Sequence, residues 1–132
     1  MSDGASNTVV NAFLASLLND AAFTAYGPVY VQLHIGAPGA AGTSNIAGEN
    51  VRQSAGSNPA FTKTSDGNYT NANDIVWTAV STAETYTHAT IWSASTSGTF
   101  IASGAITANA VAIGDTFKIP ASDLTVTMPV AS

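Results

Sequence analysis

Cysteine is absent from the 132 residues, so the chain can form neither a disulfide nor a thiolate metal site. Basic residues are nearly absent too: Arg52, Lys63 and Lys118 face eight acidic residues, which leaves a net charge of −5 at pH 7. Binding to nucleic acid or to an anionic membrane requires a cluster of cations, which three separated residues do not provide. We therefore expect no nucleic-acid partner and no membrane partner.

Charge of either sign is scarce. Charged residues make up 8% of the chain, whereas ordinary globular domains carry about a quarter. Thr, Ser, Asn and Ala take the positions that Lys and Glu usually fill. Such a surface loses little side-chain entropy and meets little charge repulsion on contact with another protein. The low charged fraction fits both a secreted or surface domain and a subunit packed in an assembly.

An export or membrane signal is also missing from the sequence pattern. The first residues contain no basic segment, and Asn11, Asn19 and Asp20 interrupt the apolar stretch that follows. Neither a signal peptide nor a membrane-spanning helix has this pattern. We therefore expect the protein to be made and to remain in the cytoplasm of the cell that produces it.

Helical periodicity is confined to the N-terminal region. Apolar residues recur there at helical spacing, which predicts a helix over 6–23 with Ser6 as its N-cap: they are Val9, Val10, Phe13, Leu14, Leu17, Leu18 and Ala21. Two roles for this helix stay open. It covers one end of its own sheet, or it docks on a partner through Val9, Phe13 and Leu17.

From residue 28 onward the apolar pattern has a period of two, which is typical of strands. Short strands with turn signals between them predict a mainly β, single-domain chain (1–132), with an antiparallel β-sandwich over 28–132 and one N-terminal α-helix. The predicted strands are 29–35, 74–80, 85–94, 98–108, 115–121 and 123–131, with a hairpin turn at Asp66-Gly67 and a long loop over 36–60 that holds a short strand near Val51.

The side-chain pattern of three strands gives more specific expectations. His34 should lie on the polar face of its strand, and residues 74–80 should form a central strand because they are apolar on both faces. In the last strand the alternating apolar residues should face inward: Leu124, Val126, Met128 and Val130.

Gly36, Gly39 and Gly42 follow the first strand at a spacing of three. They match neither the dinucleotide fingerprint nor the phosphate-binding loop, because no helix pattern and no G-K-[ST] follows. We interpret them as positions of positive φ in a wide turn that Pro38 stiffens.

The two histidines, His34 and His88, are the obvious candidates for chemistry. A zinc site would need a further ligand such as Glu84 or Asp74, and no metal-binding spacing supports one. Glu84 could orient His88 in a hydrolase, but catalysis also requires an activated hydroxyl and an oxyanion hole. We interpret both histidines as structural and expect no catalytic residue, no metal and no cofactor.

Aromatic residues and carboxylates each allow two interpretations. Trp77, Trp92 and Tyr69 could stack on a sugar if they were exposed, although tryptophans in a small sandwich are more often core residues. Four aspartates stand at turns or strand starts, where the carboxylate usually bonds to nearby backbone: Asp66, Asp74, Asp115 and Asp123.

Five segments follow one another in a characteristic order within about residues 6–128: VYVQLHIGAPGAAGTSN, ENVRQ, IVWTAV, ETYTHATIWSASTSGTFIASGAIT and AIGDTFKIPASDLTVTM. In this order they resemble a family of small virion proteins of tailed bacteriophages and prophages, described as tail fibre-like, minor tail or head decoration proteins. The resemblance implies a non-enzymatic virion protein with a β-sandwich fold. It brings no catalytic residue and no cofactor.

Within this class we expect a capsid decoration or stabilisation protein on the particle surface. It would contact the major capsid protein as a homo-oligomer, with a trimer as the typical form. The alternative is a minor tail, tail fibre or baseplate protein whose partners are other tail proteins. A module that binds host-surface glycans and a small hydrolase built on His88 and Glu84 are the hypotheses from other classes.

Overall fold

The computed structural model describes residues 3–57 and 59–131, and within them it contains one helix and nine strands. These are α1 (Asn7–Asn19), β1 (Tyr30–His34), β2 (Gln53–Ser54), β3 (Phe61–Ser65), β4 (Asn68–Asn71), β5 (Ile75–Trp77), β6 (Glu84–Trp92), β7 (Phe100–Val111), β8 (Phe117–Ile119) and β9 (Thr125–Thr127). The prediction of a mainly β chain with an N-terminal helix is confirmed.

The strands form three antiparallel sheets. The large sheet has the order β2-β1-β6-β7, the hairpin sheet has the order β3-β4-β9, and the small sheet pairs β5 with β8. Antiparallel neighbours suit a chain whose strands follow one another through short turns. The sheets pack closely where β7 meets β9: a Cβ placed on Gly104 would lie 2.6 Å from the backbone oxygen of Thr125.

The core lies between the large sheet and the small sheet. The Tyr86 ring on β6 packs edge-on against Phe117 of β8 at 4.8 Å between centroids, and Phe117 also contacts Trp77 of β5 at 5.9 Å. All three side chains are buried. Trp77 donates its indole N–H to the Val51 carbonyl at 2.7 Å, so the burial of its polar atom costs little.

The first strand is buried on both faces: His34 lies on the polar face opposite Val31 and Leu33, as the alternation predicts, and that face is covered as well. Val31 and Leu33 face the core, and His34, on the opposite face, has no exposed surface either. The loop after β1 covers this second face, since the Ser44 carbonyl bonds to the His34 ring. A strand covered on both sides can hold polar residues on one face when each finds a partner.

Two strand predictions, for residues 74–80 and 123–131, are wrong in detail. The segment 74–80 forms only the three-residue β5 in the small sheet, and Val76 is 39% exposed, so it is not a central strand. In the last segment Leu124 is buried, but Met128 and Val130 are 37% and 60% exposed. The chain leaves the hairpin sheet after β9, so alternation beyond that point no longer faces the core.

The turns follow their sequence signals. Asp66 and Gly67 connect β3 to β4, with Gly67 at φ 77°. Gly39 and Gly42 have positive φ as expected, whereas Gly36 does not. The predicted loop over 36–60 includes β2 as its short strand, while Val51 itself is exposed.

Candidate functional site

The N-terminal helix begins as its sequence predicts and ends earlier. Ser6 caps it by accepting the Val9 backbone N–H at 3.2 Å, which satisfies one of the free donors of the first turn. The helix ends at Asn19 because Asp20 adopts the left-handed conformation and its N–H bonds back to the Ala15 carbonyl. The prediction that it continues to residue 23 is therefore wrong.

The helix is attached to the large sheet through its N-terminus. The Ser6 N–H donates to the Ile101 carbonyl at 2.7 Å and the Ser103 N–H donates to the Gly4 carbonyl at 2.9 Å. Within the helix, Val9 is the buried residue. Beyond this anchor the apolar side chains point to solvent, with Phe13 38%, Leu17 62% and Leu18 75% exposed.

One face of the helix is continuously apolar and faces away from the core. Its residues follow the i, i+3, i+4, i+7, i+8 pattern that normally marks a buried face: Val10, Phe13, Leu14, Leu17 and Leu18. The sequence of α1, NTVVNAFLASLLN, contains no charged residue. The helix therefore carries no charge that would repel a partner from its apolar face.

Phe13 extends this face into a groove beside the hairpin sheet. The groove has a volume of about 470 Å³ and is lined by Phe13, Gly67, Tyr69, Val126, Met128, Pro129 and Val130. Phe23 stands edge-on to Phe13 at 6.1 Å. We define the apolar surface as the eight large exposed side chains here: Phe13, Leu14, Leu17, Leu18, Phe23, Tyr69, Met128 and Val130.

The three docking residues predicted from the sequence differ in exposure. Phe13 and Leu17 lie on the apolar surface, whereas Val9 is 9% exposed and packs inward. Leu14 and Leu18 were not predicted as docking residues, although their i+4 spacing places them on the same helix face. Met128 and Val130 were predicted to lie in the core, and no signal in the alternation pattern reveals that they lie beside the helix.

The three aromatic candidates for sugar stacking do not form a platform. Trp77 is 1% and Trp92 is 8% exposed, so neither offers a ring face to a sugar, while Tyr69 is 46% exposed. The Trp92 face is already covered by the Arg52 guanidinium, 4.0 Å from the ring centroid. The prediction that the two tryptophans stack on a sugar is therefore wrong. Contact between Tyr69 and a glycan stays a prediction.

His34 belongs to a closed hydrogen-bond network. The Ser44 carbonyl can only accept, so His34 Nδ1 carries the proton and donates to it at 2.8 Å. In the neutral ring Nε2 then accepts the Thr90 hydroxyl at 2.9 Å, and Thr90 Oγ1 in turn accepts the Trp92 indole N–H at 2.8 Å. Burial, with a smaller contribution from the nearby His88, lowers the pKa of His34 below 6.5. The ring is thus held neutral with both nitrogens occupied.

Glu84 binds backbone N–H groups and does not orient His88. Its two carboxylate oxygens accept the backbone N–H groups of Gly48 and Glu49 at 2.9 and 3.0 Å. The register of β6 against β7 shifts between Tyr86 and His88, so the alternation of the ETYTH segment is interrupted there. His88 Nδ1 contacts the Thr87 hydroxyl instead.

Among the remaining carboxylates of the described residues, only Asp115 bonds to backbone nearby in sequence as predicted, while Asp74 and Asp123 bond to distant segments. Asp115 accepts the Ala112 N–H, Asp74 accepts the Ala121 N–H and Asp123 accepts the Thr107 hydroxyl, each at 2.9 Å. Across residues 3–57 and 59–131, no three His, Asp or Glu side chains are grouped as metal ligands. No helix in the same ranges is long and apolar enough to span a membrane.

A known protein family matches most of the chain. Residues 4–127 match the family described as Podophage GP4 fiber I protein gp80. The match begins before the helix and ends at the last residue of β9, so it includes every element of the fold. No curated protein matches the chain. The chain belongs to the podophage fiber I protein gp80 family, a family of tailed-phage virion proteins.

Proposed function

We propose that this protein is a structural, non-enzymatic component of the tail fibre apparatus. The observation that carries the proposal is the family match over residues 4–127, because the family is described as a fiber protein. The match spans the helix and all three sheets, so it concerns the whole fold and not one shared motif.

The geometry supports an assembly role. A fibre component has to bind its neighbours in the virion, and the apolar surface around Phe13 and Leu17 provides a contact area free of charged side chains. Both ring nitrogens of His34 and both carboxylate oxygens of Glu84 are occupied by hydrogen bonds inside the fold. In this proposal the interior groups keep the fold rigid, and the helix face makes the contacts.

Capsid decoration, which the sequence analysis favoured, stays a prediction. The family description names a fiber and therefore favours the tail. The same apolar surface would serve on a capsid, and localisation on the particle distinguishes the two positions.

Immunogold electron microscopy on purified virions of the encoding phage tests the proposal. Antibodies raised against the recombinant chain should place gold on the tail, and antibody absorbed beforehand with the chain should label nothing. Gold spread over the head would contradict the tail proposal and support decoration. Mass spectrometry of the same virions is the companion measurement, and absence of the chain from them would contradict any virion role.

A further inference from the structure

We infer that the apolar surface is an interface between copies of this chain. In the isolated protein it would be covered by the same surface of a second copy. The inference goes beyond the proposed function, because self-association of the purified protein is measured without a virion. It holds for a protein of the tail and for one of the head.

The size of the apolar surface is the first argument. Its eight side chains are 37% to 75% exposed, which corresponds to roughly 600–1,000 Å² if each is assigned the 150–250 Å² of a large aromatic side chain. The largest apolar patch of a typical monomer is about 300–600 Å². One partner of a stable interface buries about 800 Å². The exposed area therefore matches what one side of a stable dimer requires.

The charge distribution favours a second copy over a charged partner. The chain has a net charge of −5, yet α1 has no charged residue and the eight side chains of the apolar surface are all uncharged. Contacts between these eight side chains of two copies therefore place no like charges opposite each other. A partner recognised through charge would need complementary ionic groups, and the apolar surface offers none.

The helix itself has a reason to be covered. At 13 residues it is as short as isolated helices that are marginal in water, and its phenylalanine and leucine side chains remain 38% to 75% exposed. In an isologous contact the face with Leu14 and Leu18 would pack against the same face of the other copy. Packing of this kind supplies the stability that the sequence of a short helix lacks.

The oligomeric state tests the inference directly. Size-exclusion chromatography with light scattering, from micromolar to millimolar concentration, should show an oligomer of the wild-type chain. The double variant Leu17→Gln with Leu18→Gln removes two exposed leucines and keeps good helix formers. We expect its self-dissociation constant to rise by at least about 100-fold, because each copy loses the burial of two large apolar groups.

Ile113→Gln is the matched control. Ile113 is 71% exposed, which is similar to the 75% of Leu18. It lies in the connection between β7 and β8 and does not line the groove. This variant should keep the wild-type oligomeric state. A monomeric wild-type chain over the whole range would overturn the inference, and so would a folded Leu17→Gln, Leu18→Gln variant that associates like wild type.

A second measurement does not depend on whether the double variant folds. The chain has no cysteine, so Leu18→Cys introduces a single thiol on the apolar surface and Ile113→Cys introduces one away from it. A short bismaleimide should cross-link the Leu18→Cys chain to a covalent dimer and leave the Ile113→Cys chain mostly monomeric. Equal cross-linking of both variants would contradict the inference.

Discussion

The helix and the large sheet reverse the usual relation between polarity and burial. On the large sheet His34, Thr90 and Ser103 are buried. On the helix Phe13, Leu17 and Leu18 are exposed. Neither region follows the simple expectation that apolar residues lie inside and polar residues lie outside.

The difference lies in where each region finds its partners. The three buried polar side chains named for the sheet find hydrogen-bond partners within the chain, so their burial is tolerated. The apolar face of the helix finds too few partners within the chain. We therefore expect substitutions of the interior polar groups to change folding, and substitutions on the helix face to change association.

The largest expected effect concerns Asn71, the most connected buried amide. Its side chain donates to the carbonyls of Asn73 and Pro120 and accepts the Leu124 N–H, at 2.9, 3.0 and 2.9 Å. Asn71→Ala should lower the free energy of unfolding by about 3 kcal/mol, because three buried groups lose their partner. Urea denaturation measures this loss. Asn109→Ala, at an exposed position of β7, is the control and should change little.

The next effect concerns Thr90, which links His34 to Trp92. Thr90→Val keeps the shape of the side chain but leaves the Trp92 indole N–H and His34 Nε2 without their partner. We expect a loss of about 2 kcal/mol in unfolding free energy and a shift in tryptophan fluorescence, because the environment of the indole changes. An unchanged denaturation midpoint would show that the buried network contributes nothing to stability.

The pH dependence of stability reports on the same network. The pKa of His34 is lower in the folded chain than the usual 6.5, so the unfolded chain takes up the proton first as the pH falls. This contribution to unfolding free energy is therefore constant well above pH 6.5 and is lost as the pH drops through 6.5 toward the lowered pKa. Denaturation curves at several pH values should show this loss, and His34→Phe should remove the part that His34 contributes.

The smallest effect concerns Tyr86, where the sheet departs from the rule that buried polar groups are paired. Within residues 3–57 and 59–131 its buried hydroxyl has no hydrogen-bond partner, and burial together with the charges of Glu84 and Glu49 raises its pKa to about 12. Tyr86→Phe should raise the unfolding free energy by up to about 1 kcal/mol, since it removes an unsatisfied group. A loss of more than that amount would reveal a partner for the hydroxyl.

Much of the fold was predictable from local pattern. The Ser6 cap, the start of the helix, the strands β6 and β7 and the turn at Asp66-Gly67 all follow from residue type and spacing. The family resemblance rested on the order of motifs and is confirmed by the match over residues 4–127. These features depend on neighbours in the sequence, so the sequence carries enough information for them.

The candidate site was predictable only in part. Phe13 and Leu17 were identified from helical spacing, but the same spacing does not say which way a helix turns its apolar face. Met128 and Val130 were placed in the core because alternation was extended past the end of β9. Strand alternation holds only while the strand remains paired, and pairing is a long-range property.

The amino-acid sequence was sufficient to establish the β-rich class, the N-terminal helix, the low charge and the phage virion family, because each follows from composition, period or motif order. The three-dimensional arrangement was required to show that His34 is buried and neutral, that Trp77 and Trp92 are core residues, and that the helix face meets Tyr69 and Val130 in one apolar surface. These facts depend on which distant segments cover one another. Coverage results from packing over the whole chain, and local pattern does not encode it.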